Sequence, residues 1–104
     1  MPLYFISYVG APQRTNPEEG EKHMVRYREW LSELGDAAVS PANPLKNTNT
    51  IKPDGSVIKG GVTTMSGYTI IEANSDDEAM AIAKACPYLD LGGSLEISEL
   101  MQMG

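Results

Sequence analysis

The chain has 104 residues, 41% of them hydrophobic, and its eight basic and fourteen acidic side chains give a formal net charge of −6. This length suits one domain, and the hydrophobic content excludes a disordered or fibrous chain. The acidic balance repels phosphate groups, so we expect no nucleic acid among the partners. One cysteine and one histidine argue against a disulfide framework or a zinc site, and we expect neither a metal nor a cofactor.

The sequence also bears on membranes and location. No apolar run approaches the roughly 18 residues that a membrane span needs, so we expect no membrane partner. Residues 1–9 lack the basic start and leucine-rich centre of a signal peptide, which predicts a cytoplasmic protein. Residues 40–66 are locally basic and could attract an anionic metabolite, although loop lysines are more often only solvated.

The first half of the chain predicts a strand followed by a helix. Branched and aromatic residues fill positions 3–9, up to Gly10, and make both faces of the expected strand apolar. Asn16 and Pro17, followed by two glutamates, are typical of a helix start, and Gly35 of its end. The side chains expected to face inward from this helix are Met24, Tyr27, Trp30, Leu31 and Leu34.

The second half predicts a helix between shorter strands. Ser75 and Glu78 form a capping box for a helix that Pro87 ends. Its inward residues include Cys86, which we interpret as a small core residue whose thiol pKa is raised at the helix C-terminus. Further strands are predicted over residues 37–41, 50–52, 56–58, 67–73 and 94–100. Those at 50–52 and 56–58 form a hairpin around the turn at 53–55.

The order of these elements is strand, helix, strand, hairpin, strand, helix, strand. Right-handed crossovers then place both helices on one face of a mainly antiparallel sheet, an α+β fold of the ferredoxin-like kind. The apolar opposite face would be exposed in a monomer. Because apolar burial contributes about 25 cal/mol per Å², we expect a homodimer in which two sheets pack face to face.

Three segments, 66–79, 83–87 and 92–97, resemble the C-terminal half of YCII-related (DGPF-type) proteins: strand, serine-capped helix with a Cys-Pro end, Gly-Gly and final strand. Short upstream pieces such as His23-Met24 and Asn43-Pro44-Leu45 extend the resemblance over nearly all of residues 1–104. It implies a single YCII-related domain that forms a dimeric α+β barrel, with a His/Asp pair in a pocket between helix and sheet. The Asp-Gly-Pro-Phe motif itself is absent, and residues 60–65 stand in its place.

His23 is the candidate catalytic residue. It lies one turn before Tyr27, at the edge of the inward stripe, and an ordinary histidine pKa suits proton transfer at neutral pH. The alternative is a boundary histidine that bonds to a carbonyl or to water. The aspartate expected to orient it is missing.

Tyrosines and polar loop residues are the candidate ligand-binding set. Aromatic bodies with polar tips suit a pocket for a small cyclic or aromatic compound, although core packing and dimer contacts explain tyrosines equally well. The candidates are Tyr4, Tyr8, Tyr27, Asn43, Ser66 and Tyr68. The resulting hypothesis is a small-molecule-binding protein that acts as an isomerase, lyase or cofactor-free oxygenase. The alternatives are a non-catalytic ligand-binding or regulatory dimer and a structural dimer without a ligand.

Overall fold

A computed structural model describes residues 1–10, 16–61, 63 and 65–101. The strands are β1 (Leu3–Val9), β2 (Ala38–Pro44), β3 (Asn49–Ile51), β4 (Val57–Lys59), β5 (Met65–Glu72) and β6 (Ser94–Glu99). The helices are α1 (Pro17–Leu34) and α2 (Asp76–Lys84), with short 3-10 turns at Gly35–Ala37 and Pro87–Leu91. The predicted order of elements is confirmed. Val62 and Thr64, within residues 60–65, lie outside the described residues.

The main sheet is four-stranded and antiparallel in the order β2-β5-β1-β6, and β3 and β4 form a separate hairpin. This strand order confirms the ferredoxin-like α+β fold. Tyr4, Ile6 and Tyr8 of β1 are buried on the face that carries both helices, where Trp30 packs against them. The strand's period of two therefore separates a core face from an open face.

Both helices begin as their caps predict. The Asn16 side chain accepts a hydrogen bond from the Glu19 N–H at 2.8 Å, and Ser75 accepts one from the Glu78 N–H at 3.2 Å. The Glu78 carboxylate accepts the Asn74 N–H at 3.0 Å, which completes the start of α2. Each cap satisfies amide groups that the first helical turn leaves without a partner.

The helix packing confirms Trp30 and corrects Met24. The indole N–H of Trp30 donates to the Ile82 carbonyl at 3.1 Å and so links α1 to α2. Met24 was expected to face inward, but it is 44% exposed. The expectation of burial was wrong because this part of α1 borders a cavity instead of the packed core.

Cys86 is 2% exposed and belongs to the core, as expected. Burial raises the pKa of its thiol to about 11. Helix α2 ends at Lys84, just before Pro87, which begins a 3-10 turn instead. The Pro87–Leu91 turn carries Tyr88 back against the core.

The molecule is flat, with extents of 45 × 44 × 18 Å and a radius of gyration of 15.2 Å. A globular chain of this length has a radius of gyration of roughly 13 Å. The β3–β4 hairpin is exposed except at the half-buried Thr50, and Ile51 is 73% exposed. Neither described helix is long and apolar enough to span a membrane.

Candidate functional site

A cavity of about 270 Å³ lies between α1 and the ends of β2 and β5. Five of the seven predicted site residues line it: Tyr8, His23, Tyr27, Asn43 and Ser66. The other lining residues are Met24, Ala42, Pro44, Gly67 and Tyr88. The volume is just below the usual range of about 300–1,000 Å³ for ligand pockets, so it suits a small compound.

Irregular strand pairing brings the polar side chains to the cavity. Tyr8 pairs with Gly67 and Val9 with Met65, so Ser66 is the extra residue of a bulge in β5. Simple alternation would place Ser66 on the same face as Tyr68, whereas a bulge re-aims a side chain and allows it to line the cavity. A Cβ atom at Gly67 would lie 3.0 Å from the Asn43 carbonyl oxygen, so a larger residue there would push the β2 backbone away by a few tenths of an ångström.

A chain of hydroxyl groups runs from the cavity into the core. The Tyr27 and Tyr8 hydroxyl oxygens are 2.8 Å apart, and the Tyr8 hydroxyl also bonds to that of Thr69. Thr69 is 0% exposed and donates to the Pro41 carbonyl at 2.6 Å. Burial, as the largest cause, raises the pKa of Tyr8 above its ordinary value. Sequence reasoning missed Thr69 and Pro41 because a threonine in a strand carries no signal for such a bond.

His23 is half-buried at the cavity wall, with its ring stacked on that of Tyr27 at 6.3 Å between centroids. Its Nδ1 atom is buried and has no hydrogen-bond partner among the described residues. Burial lowers the pKa of His23 below 6.5, the Arg26 charge lowers it further, and Asp90 opposes the shift. The imidazole is therefore neutral at neutral pH.

The carboxylate expected beside His23 is not found within the described ranges. Asp90 is the acid whose charge acts on His23, but its carboxylate pairs with Arg26 at 3.2 Å. Both partners of that pair are exposed, so the pair contributes little stability. Within the described part of the chain, His23 thus has one ring nitrogen, the buried Nδ1, without a partner, and no acid that fixes its orientation.

Tyr88 is a further lining residue that sequence reasoning missed. Its hydroxyl donates to the Gly10 carbonyl at 3.1 Å, and its ring meets that of Tyr8 edge to face at 5.2 Å between centroids. The sequence signal that could have identified Tyr88 is an aromatic residue placed directly after Cys86-Pro87. A Cβ atom at Gly93 would lie 2.2 Å from the Tyr88 ring, so this glycine makes room for it.

Two predicted tyrosines lie elsewhere. Tyr4 is 3% exposed, and its hydroxyl donates to the Asp76 carboxylate at 2.8 Å near the start of α2. Burial and the Asp76 charge raise the pKa of Tyr4 to about 12. The Tyr68 ring stacks on Phe5 at 4.9 Å between centroids, on the open face of the sheet. Neither side chain lines the cavity with His23.

A wider, open groove of about 960 Å³ runs along the outer side of α1. Its walls are charged and include the Lys22–Glu18 pair at 3.9 Å and the Arg26–Asp90 pair. These side chains are exposed and already paired, so the groove offers no enclosed reactive group. Across the described part of the chain, no three histidine, cysteine, aspartate or glutamate side chains gather as metal ligands would.

Comparison with known proteins shows similarity in structure rather than in sequence. No family model and no curated protein matches the chain. Among solved structures, it is similar to 5-chloro-2-hydroxyhydroquinone dehydrochlorinase (TftG) from Burkholderia phenoliruptrix AC1100, in complex with 2,5-dihydroxybenzoquinone. The TM-score is 0.61 at 14% sequence identity, over 97% of this chain and 95% of that chain. This similarity supports the broad fold relationship, and the YCII-related assignment stays a prediction.

Proposed function

We propose that the protein binds a small cyclic compound in the cavity between α1 and β5, and that His23 exchanges a proton with it. The observation that carries this proposal is the His23 ring, neutral, half-buried and with an unpartnered buried Nδ1. A neutral imidazole is the form that acts as a general base. Tyr8, Tyr27 and Tyr88 supply the aromatic walls that a flat ring needs.

The comparison with TftG supports the class of ligand. That enzyme has a similar fold and was solved with a cyclic compound, 2,5-dihydroxybenzoquinone. A cavity of about 270 Å³ suits a ligand of comparable kind. Acid–base chemistry by one histidine fits an isomerase, a lyase or a cofactor-free oxygenase, each of which begins by moving a proton. We also propose that residues 1–104 form one YCII-related domain and that the protein acts in the cytoplasm.

A non-catalytic binding or regulatory role is the second candidate, and one observation favours it. Within the described ranges no carboxylate bonds to His23, although general bases are usually oriented by a third group. Binding without turnover would need only the cavity. The His23→Gln variant separates the two roles because glutamine retains polarity but cannot serve as the base.

Ligand-induced shifts in melting temperature test the proposal, with hydroquinone, 4-nitrophenol and 2,5-dihydroxybenzoquinone as probes. We expect at least one probe to stabilise the wild type. Ala42→Phe, at the cavity mouth, should abolish the shift, whereas Val39→Phe on the same strand should retain it. Absence of binding by every probe, or equal effects of the two variants, would contradict the proposed site. Turnover of a bound probe that His23→Gln loses would favour the enzyme over the binder.

We also propose that a second copy covers the open face of the sheet. Leu3, Phe5, Val9 and Ile70 are half-buried on the face opposite the helices. Their burial against another chain would remove apolar surface from water. Analytical ultracentrifugation should then give a mass near twice 11.3 kDa, and a monomer at micromolar concentration would refute the dimer.

A further inference from the structure

The hydroxyl chain beside His23 has a fixed direction. The Pro41 carbonyl can only accept, so the single hydroxyl proton of Thr69 is used on it. Tyr8 must then donate to Thr69, and its oxygen is left to accept the proton of Tyr27. Because the chain ends at a carbonyl, which has no proton to donate, it cannot reverse. Tyr27 therefore has no proton for a ligand and presents only oxygen lone pairs.

The amide of Asn43 is committed in the same way. Its NH₂ group bonds to the Ser40 carbonyl at 3.3 Å, the Ser40 hydroxyl at 2.9 Å and the Tyr68 carbonyl at 3.2 Å. Two carbonyl acceptors on that side fix the orientation of the amide, because its oxygen cannot face them. The Asn43 oxygen is left as the available group, and it too is an acceptor.

Tyr88, like Tyr27 and Asn43, is left with an acceptor for a ligand. Its proton is donated to the Gly10 carbonyl at 3.1 Å. Ser66 is the adaptable hydroxyl of the wall, because it is exposed and its hydrogen bonds are long, at 3.4 and 3.5 Å. The neutral His23 ring carries one N–H and one unprotonated nitrogen, and a general base acts through the unprotonated nitrogen. Three of the side chains that line the cavity thus offer acceptors, against one adaptable hydroxyl and one imidazole N–H.

A cavity lined by hydrogen-bond acceptors should bind an anion more weakly than a neutral hydroxyl compound. An anionic oxygen needs donors, and next to these acceptors it would be desolvated without compensation. A neutral hydroxyl group donates to them directly. We propose that this cavity selects the uncharged, hydrogen-bond-donating form of a hydroxylated ring, with Tyr27 as the specificity-determining acceptor. The inference rests on the proposed function and names the charge state of its ligand.

A coloured phenol tests this choice directly. 4-Nitrophenol ionises near neutral pH, and only its phenolate is yellow. At the pH where free 4-nitrophenol is half ionised, His23 is neutral because its pKa lies below 6.5. If the protein binds the neutral form about tenfold more tightly, the apparent pKa of the bound phenol rises by about one unit and the yellow absorption fades. A deeper yellow on addition of protein would mean that the phenolate is preferred, and would overturn the inference.

Two variants test the assigned direction. Thr69→Val removes the acceptor of the Tyr8 proton, so the chain of hydroxyl groups can reverse and Tyr27 can donate to the ligand. The preference for the neutral phenol over the phenolate should then fall at least threefold. Thr69→Ser retains the hydroxyl and should behave as wild type. Equal preference in all three folded proteins would refute the fixed direction. If Thr69→Val fails to fold, Tyr27→Phe is tested in its place. Tyr27→Phe should weaken binding of the neutral phenol about fivefold. An unchanged affinity would refute the role of Tyr27.

The two proposals fail in distinguishable ways. Equilibrium dialysis of 4-nitrophenol and hydroquinone at several pH values measures binding of each form to the wild type and to Ala42→Phe. If neither compound binds in any form and 2,5-dihydroxybenzoquinone also fails to bind, the proposed site and the inference both fail. Binding of that acidic quinone alone would overturn only the inference. Phenolate binding that Ala42→Phe abolishes would leave the proposed site standing and overturn the inference alone.

Discussion

Replacing Gly93 with alanine tests how closely the Tyr88 ring is held against the chain that enters β6. An added Cβ atom would lie 2.2 Å from Cε2, 2.6 Å from Cζ and 2.7 Å from Cδ2 of that ring. All three distances are far inside van der Waals contact, so the ring must move. It cannot move freely, because its hydroxyl is bonded to the Gly10 carbonyl and its edge meets Tyr8.

The expected cost follows from overpacking. Forcing an extra methyl group into a packed site costs about 1–3 kcal/mol. At about 2 kcal/mol, and with roughly 4–8 °C per kcal/mol for a domain of this size, the melting temperature should fall by about 10 °C. Because Tyr88 lines the cavity, any ligand bound there should also lose affinity.

Thermal or urea unfolding measures this cost, and a double-mutant cycle assigns it to the ring. Gly93→Ala is made in the wild type and in Tyr88→Leu, where the ring is absent. If contact with the ring is the cause, alanine should cost at least 1 kcal/mol less in the Tyr88→Leu background. The neighbouring exposed residue Ser94, replaced with alanine, controls for general effects. An equal cost in both backgrounds would refute this explanation.

Three further outcomes follow from single side chains. NMR titration of His23 should give a pKa below 6.5. The unfolded chain then binds more protons than the folded one, so wild-type stability should fall more than that of His23→Gln as the pH drops below about 6.5. Parallel curves of stability against pH for the two proteins would contradict the lowered pKa. Trp30→Phe loses the bond to the Ile82 carbonyl, and urea unfolding should show a loss of about 1–2 kcal/mol; an unchanged midpoint would contradict it. Cys86, buried and with a thiol pKa of about 11, should resist iodoacetamide until urea unfolds the protein; rapid native labelling would disprove this.

Local chemistry sufficed for the order of the elements and for the starts of the helices, but the strand predicted over residues 37–41 runs from Ala38 to Pro44. Asn16 and Ser75 cap the two helices as their sequence context predicts. Residues 3–9 predict a strand that is apolar on both faces, and the structure shows that Tyr4, Ile6 and Tyr8 form the buried face. The exposure of Met24 was not predicted because helical periodicity indicates which face is inward but cannot show that this face borders an open cavity there.

The site was less predictable because it depends on irregular strand pairing. Ser66 reaches the cavity through a bulge, and no residue type identifies a bulge in advance. Tyr68 of β5 faces the other side of the sheet, where it stacks on Phe5. Its aromatic character alone therefore could not show that Tyr8 lines the cavity and Tyr68 does not. The bond from Thr69 to Pro41 joins residues 28 positions apart and requires both strands to be in place.

The pleat of β5 also separates the proposed ligand site from the proposed dimer interface. Thr69 lies on the helix side, where it fixes the direction of the hydroxyl chain, while Tyr68 and Ile70 lie on the open side. Asn43 connects the two sides, because its side chain lines the cavity and its amide donates to the Tyr68 carbonyl. That bond reaches the backbone and not the Tyr68 ring. Contacts on the open face at Tyr68 would therefore reach the Asn43 amide by moving the β5 backbone.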